Sequence, residues 1–494
     1  MLMMERKSGI LMHITSLSSP YGIGTFGKEA YDFVDFLVSS SQKYWQVLPM
    51  GPTGAGDSPY QSLSSFAGNP YFIDLDFLNK EGILKKSSYD NLDFGSDPEK
   101  IDYGKIFINK MKVLRTAYEN TGDKYNEDMK VFKENNKIWL EDYAMYMALK
   151  SEFALKPWKE WDRSIKLREK SAVEYYRVKL NDEINYWIFI QYVFLKQWTA
   201  LKNYANERGI KIIGDIPMYA AEDSADTWAN SEVFMLDGNK NPLLVSGCPP
   251  DAFSSTGQLW GNPVYNWGYL ENTGYKWWID RMRKNVELYD VVRIDHFRGF
   301  ESFWEVPCGN DTAVDGKWVQ GPGMKFFHKL KSKLGNVDII AEDLGYLTED
   351  VKKFRAESGY PGMKVLEFAF NFNEDSDYLP HNHIKNCVVY IGTHDNEPIM
   401  GWLQNVKKDD ADFAKKYLRL SHEEGYNWGF IRGVMASVAK LAIVQMQDYI
   451  GLGNESRMNT PATIGGNWCW RIKKDCLTGK LAHKIRDIVK LYRR

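Results

Sequence analysis

Four carboxylates stand at the ends of short apolar runs in this sequence: Asp215 in KIIGDIPMY, Asp295 in VVRIDHFRG, Glu342 in VDIIAEDLG and Asp395 in CVVYIGTHDN. VVRIDHFRG begins as a buried strand and then places Arg293, Asp295, His296 and Arg298 where apolar residues should continue. Side chains two apart on a strand point the same way, so Arg293 faces the same side as Asp295 and its guanidinium should hold that carboxylate ionised, as a nucleophile requires. Glu342 closes the next run, where crowding by Asp295 and Asp395 together with desolvation raises its pKa and leaves it protonated near neutrality. An ionised and a protonated carboxyl about 5–5.5 Å apart cleave a glycosidic bond with retention. Asp343 is the competing acid, but its parity turns it to the opposite face. Asp395, beside His394, adds a third carboxylate suited to gripping sugar hydroxyls as the ring flattens toward an oxocarbenium-like state. The plainer readings are a structural Arg–Asp pair and a helix cap made by Asp395 and Asn396. Four convergent strand-end carboxyls favour the chemistry.

Separate strands must bring these residues together. Eight apolar runs serve, at 10–17, 44–50, 211–219, 291–297, 337–345, 363–370, 387–396 and 442–450. Several follow amphipathic helical stretches, most clearly 184–209, which ends at Gly209. Alternating helix and buried strand implies parallel pairing, and eight units imply a (β/α)₈ TIM barrel with its active groups at the C-terminal strand ends. The whole chain, 1–494, reads as one catalytic barrel with two insertions. Residues 80–182 carry a helical pattern and should form an inserted helical subdomain. Residues 221–285, rich in Trp, Gly, Pro and Asn, should form a loop-rich lobe over the mouth. The segment 371–386 is too short and polar for a sixth helix.

Bulk properties narrow the function classes. The net charge of −2 with a pI near 6.5 offers no basic face for a phosphate backbone, so no nucleic-acid partner is expected. No stretch reaches the roughly 20 apolar residues that span a bilayer, so no membrane partner is expected either. Five widely spaced cysteines without a C-x-x-C pair fit a reducing, cytoplasmic setting. Gly22, Gly24 and Gly27 match G-x-G-x-x-G, but the following strand lacks the acidic residue that a dinucleotide site needs, so they read as turn glycines. His381 and His383 lack further ligands at metal-site spacing. The 17 Trp, 29 Tyr and 25 Phe, many beside Gly, Pro, Asn and Gln, suit stacking against the flat C–H faces of sugars.

The chain resembles the 4-α-glucanotransferases of the amylomaltase or disproportionating-enzyme family, a branch of the α-amylase clan. The likeness runs end to end through TSLSSPYGIGTFG, WQVLPMGPTGAGDSPYQSLSSFAGNPYFIDL, GDIPMY, PPDAFSSTGQLWGNPVYNW, RIDHFRG, AEDLG, THDN and NTPATIGGNWCWR. It implies a barrel with inserted subdomains and no separate C-terminal β-domain, acting on α-1,4-glucans and maltooligosaccharides without a metal or organic cofactor. Carried over, Asp295 is the nucleophile, Glu342 the acid/base and Asp395 the transition-state stabiliser. Arg293 and His394 lie beside the reacting sugar, Asp215 grips it and Tyr60 stacks under it. Ser58, Phe253, Gln258, Trp260 and Asn467 match residues lining the glucan groove and its covering loops. Ala252 stands where some members carry an aromatic, leaving Phe253 to stack alone, so strong curling of long glucans into large cycles does not carry over.

Two rival readings share parts of this pattern. An α-amylase-type hydrolase has the same barrel and carboxylates and differs in letting water attack the glycosyl-enzyme. A non-catalytic glucan-binding protein keeps the aromatics but has no need of Asp295, Glu342 and Asp395 together.

Overall fold

A computed structural model describes residues 6–250, 254–345 and 347–494. In chain order the first strands are β1 (Lys7–Leu11), β2 (Tyr44–Gln46), β3 (Lys211–Ile216), β4 (Leu244–Cys248), β5 (Gln258–Pro263) and β6 (Val291–Ile294). They are followed by β7 (Ser302–Pro307), β8 (Lys317–Gln320), β9 (Ile339–Ala341), β10 (Gly362–Val365), β11 (Cys387–Tyr390) and β12 (Leu441–Gln445). Eight strands pair in parallel in the order β10-β11-β12-β1-β2-β3-β6-β9. The Ala341 N–H, at the end of β9, donates to the Pro361 carbonyl just before β10 at 2.9 Å and closes the ring. The fold is therefore a (β/α)₈ barrel.

Each of the eight apolar runs supplies one barrel strand, because a strand covered by helices outside and side chains inside is apolar on both faces. All residues of β6 and β12 are buried. The ladders stop sooner than the runs do: after Gln445 the chain turns into the helix Met446–Ile450, where Met446 and Tyr449 are buried at helical spacing. Gly9 allows the strands to approach, since a Cβ there would lie 2.6 Å from the Cβ of Tyr44. Gly24 packs against backbone: its Cβ would meet the Ile14 carbonyl oxygen at 1.7 Å.

Between β2 and β3 the chain runs through helices that include Tyr103–Glu119, Asn126–Asn136, Leu140–Glu152 and the 27-residue Asn181–Glu207. Gly209, at φ 75°, releases the long helix into β3. Two buried glutamines on that helix pin the loop following β2. Gln191 exchanges two hydrogen bonds with the backbone of Gly68 (2.7 and 2.8 Å), and Gln197 does the same with Asp74 (2.7 and 3.1 Å). Only the short 3₁₀ turns Leu366–Ala369 and Pro380–Asn382 occupy the sixth crossover among the described residues.

A second, antiparallel sheet has the order β5-β4-β7-β8. Residues 221–285 thus contribute two strands as well as loops, while β7, which pairs with β4, and β8, which pairs with β7, come from beyond that segment, after β6. Gly247 and Gly261, the bulge between Val245 and Gly247, and the terminal Pro263 break the alternation that marks a strand. Among the described residues no helix is long and apolar enough to cross a membrane.

Candidate active site

The barrel register aligns the carboxylates. Asp215 lies on β3 directly opposite Arg293 on β6. Past the ladder's end the Asp295 N–H donates to the Ile216 carbonyl at 3.0 Å, and the Glu342 N–H donates to the Ile294 carbonyl at 3.1 Å. Three successive strands therefore deliver Asp215, Asp295 and Glu342 to one rim. Arg293 joins two of them: its Nη1 donates to Asp215 Oδ2 at 2.6 Å and to Asp295 Oδ1 at 3.2 Å, with Arg293 and Asp215 both buried. Glu342 accepts two backbone donors, the His296 N–H on Oε2 at 2.6 Å and the Leu344 N–H on Oε1 at 2.8 Å. His296 sits at φ 49°, in the left-handed region, so the chain leaves β6 with that amide turned toward Glu342. Asp343 faces the other way, accepting the Met363 N–H at 2.7 Å and pairing with Arg355 at 3.1 Å.

Asp395 comes from the loop after β11. Its Oδ1 accepts from Asn459 Nδ2 at 2.7 Å, and its Oδ2 lies 3.4 Å from His394 Nε2. Asn396 accepts from the Thr393 N–H and Oγ1–H, both at 2.9 Å, and so organises the turn itself. The next helix, Ile399–Asn405, starts after Pro398 without a side-chain cap, which removes capping as the role of Asp395. Tyr60 arrives on the loop after β2. Its hydroxyl donates to Asp215 Oδ2 at 2.8 Å, and its ring stacks on His394 with centroids 5.1 Å apart and planes 12° from parallel.

Trp260 and Gln258 sit on β5, joined by a 3.2 Å hydrogen bond from the indole N–H to Gln258 Oε1. Trp260 meets the His296 ring edge-on at 4.8 Å, next to Asp295 in sequence. A paired amide contact between Gln61 and Asn262, at 3.2 and 3.3 Å, ties β5 to the Tyr60 loop. Ser58 Oγ accepts the Tyr60 N–H at 3.3 Å. Asn467 uses its amide within its own loop, accepting from the Thr460 N–H at 3.0 Å and donating to the Thr463 carbonyl at 3.2 Å. Phe253 lies outside the described residues. Arg298 is buried and covers the Trp318 ring at 4.0 Å. Both nitrogens of His383 have protein partners, Ser437 Oγ at 2.7 Å and the Tyr378 carbonyl at 2.8 Å.

Burial dominates the electrostatics. It pushes Glu342 up to about 7, with the neighbouring Asp295 charge adding to the rise and Arg293 opposing it. Asp295 is also pushed up, to about 6, because burial outweighs Arg293. A carboxyl at about 6 is still mostly ionised at neutral pH, and Arg293 is the group that opposes the rise. The order survives, with Asp295 losing its proton before Glu342. His394 is lowered, by burial first, which favours the neutral ring.

Asn459 and Arg457, which hold Asp395, have no local signal linking them to it. They lie more than 60 residues away in sequence, and the hint that their loop belongs to the site is the motif NTPATIGGNWCWR with Asn467 in it.

The "4-alpha-glucanotransferase" family model matches residues 12–478. A 4-alpha-glucanotransferase of Clostridium butyricum is 54% identical over 485 residues, covering 98% of this chain and 100% of the relative. One from Thermus thermophilus is 44% identical, covering 98% of each. The solved amylomaltase of Streptococcus agalactiae, in complex with acarbose, superposes with a TM-score of 0.97 at 45% identity, covering 99% of this chain and 100% of that one. With these full-length likenesses and three carboxylates on adjacent strand ends, the chain belongs to the 4-alpha-glucanotransferase family.

Proposed function

We propose that the enzyme moves segments of α-1,4-glucan from a donor maltooligosaccharide to an acceptor glucan or glucose, with retention and through a covalent glycosyl-enzyme. The observation that carries this reading is the Arg293 bridge between Asp215 and Asp295, beside a Glu342 that holds its proton to higher pH. In the first step a carboxylate oxygen of Asp295 attacks the anomeric carbon while Glu342 gives its proton to the departing O4. The C1–O4 bond breaks and a C1–O ester bond to Asp295 forms. In the second step Glu342, now ionised, takes the proton of an acceptor 4-hydroxyl, whose oxygen displaces Asp295 and restores the α-linkage.

The remaining residues bind and orient. Asp395 grips hydroxyls of the reacting sugar, and Asp215, Arg293, His394 and Tyr60 surround it. Asp215 Oδ1 is buried and has no partner among the described residues, which suits it to accept from a sugar hydroxyl. Trp260, Gln258, Ser58, Asn467 and Phe253 line the longer groove in this reading. Residues 80–182 act as an inserted helical subdomain and 221–285 as a lobe over the mouth, on a single barrel of 1–494. Five free cysteines support a reducing, cytoplasmic setting.

Trapping tests the covalent step. Incubating the Glu342→Gln variant with maltosyl fluoride, whose leaving group needs no proton, should add a maltosyl group to the peptide containing Asp295, read by mass spectrometry. A glycosyl group on any other residue would overturn the assignment.

A further inference from the structure

We propose that Asn459 and Arg457 form a clamp that sets the position of Asp395, and that Asn459 acts on the reaction through that carboxylate alone. The proposal rests on the reading of Asp395 as the group that grips the reacting sugar.

The loop after β11 does little to hold Asp395 by itself. The Asp395 N–H reaches Thr393 Oγ1 at 3.4 Å, and the side chain remains 43% exposed. Its fixed contacts come from across the rim, from the segment that follows β12 and the helix Met446–Ile450. Asn459 Nδ2 donates to Asp395 Oδ1 at 2.7 Å, and the Asn459 N–H donates to the His394 carbonyl at 3.1 Å. Arg457 Nη2 donates to the Asp395 carbonyl at 2.7 Å, and its Nε donates to the Asn459 carbonyl at 2.9 Å. One planar guanidinium thus spans two chain segments and locks Asn459 against the residue it holds. Glu397 backs the guanidinium at 3.9 Å and is itself held by Asn405 and Asn454, each at 2.6 Å.

The chemistry of the donor matters. Asn459 is neutral, so it orients Oδ1 without cancelling the charge that Asp395 brings to the sugar hydroxyls. With Oδ1 held, Oδ2 is directed to the His394 side, where the Tyr60 ring also lies. A carboxylate free to change rotamer would meet the flattened sugar ring in the right pose only part of the time, and small misplacements of this kind cost rate rather than ground-state binding.

A double-mutant cycle on transfer from maltosyl fluoride, whose good leaving group keeps slow variants measurable, tests the clamp. Asn459→Ala should lower kcat by about 10–100-fold and leave KM within about twofold. In an Asp395→Asn background the same substitution should change kcat by less than about twofold, because its target is already disabled. Asn459→Asp, equal in size, should keep the melting temperature near wild type and lose at least as much rate through charge repulsion. Arg457→Lys should fail to rescue the loss seen in Arg457→Ala, since a single ammonium cannot reach both carbonyls. An additive loss in the Asp395→Asn background, an unchanged kcat in Asn459→Ala, or full rescue by lysine would overturn the clamp. Full activity of Asp395→Asn itself would instead overturn the underlying reading of Asp395.

Discussion

The backbone N–H of His296 donates to Glu342 Oε2 at 2.6 Å, and His296 adopts φ 49° to deliver it. The residue after the proposed nucleophile thus fixes the proposed proton donor, so one left-handed turn at the end of β6 serves both carboxyls. Replacing the donor while keeping this turn separates chemistry from fold. Glu342→Gln should retain the fold and glucan binding and lose about 10²–10⁴-fold or more in kcat on an ordinary glucan. Steady-state kinetics on maltotriose measure this, and near-full activity contradicts the role.

The same residue makes stability depend on pH. Glu342 rises from 4.5 to about 7 in the folded protein, through burial first and the Asp295 charge second. The folded state therefore keeps a proton that the unfolded chain has released. The stability gained at this site is complete below about pH 4.5 and is lost as pH rises through about 7. Glutamine does not titrate, so the stability of Glu342→Gln relative to wild type should climb across that window, by up to about 3 kcal/mol. Urea unfolding at a series of pH values reads it, and a constant difference speaks against a protonated Glu342.

Arg293 is the counter-charge shared by Asp215 and Asp295. Arg293→Gln leaves the buried Asp215 and the partly buried Asp295 without it, which should cost about 3–5 kcal/mol. Because Arg293 opposes the burial that raises Asp295, the acidic limb of kcat/KM should also move to higher pH. Arg293→Lys should recover part of the stability and less of the rate, since an ammonium does not reproduce the planar fork. An acidic limb that stays in place in the Gln variant contradicts this electrostatic role.

The hydroxyl and the ring of Tyr60 make separable contacts: the hydroxyl donates to Asp215, and the ring stacks on His394 and also meets Trp468. Tyr60→Phe removes the first and should cost about 1.5–3 kcal/mol, the range for a hydrogen bond to a charged group. Tyr60→Ala removes both and should depress kcat/KM further. Equal kinetics in the two variants would mean that the ring contributes nothing.

The barrel was legible because its strands are buried on both faces, so each survives in the sequence as an apolar run, four of them with a carboxyl at the end. The second sheet was hidden by Gly247, Gly261 and Pro263, which read as loop, and by the distance between β4 and its partner β7. Asp215, Asp295, Glu342 and Asp395 could be picked out from their strand-end positions. Asn459 could not, because a contact across the rim leaves no spacing to detect. The rise of the Asp295 carboxyl to about 6 is not legible for a related reason: Arg293 is visible two residues away, whereas the burial that outweighs it comes from packing of the whole rim.

Maltotriose alone tests whether the enzyme transfers in preference to hydrolysing. In the proposed glycosyl-enzyme on Asp295, water at about 55 M competes with any acceptor, but an oriented acceptor sugar can reach effective molarities of about 10⁵–10⁸ M. Each bond broken is then matched by one made. Chromatography by chain length, run beside a reducing-end assay, should find glucose together with oligosaccharides longer than maltotriose while the number of reducing ends stays nearly constant. Reducing ends that rise one for one with glucose would contradict transfer and make the enzyme a hydrolase.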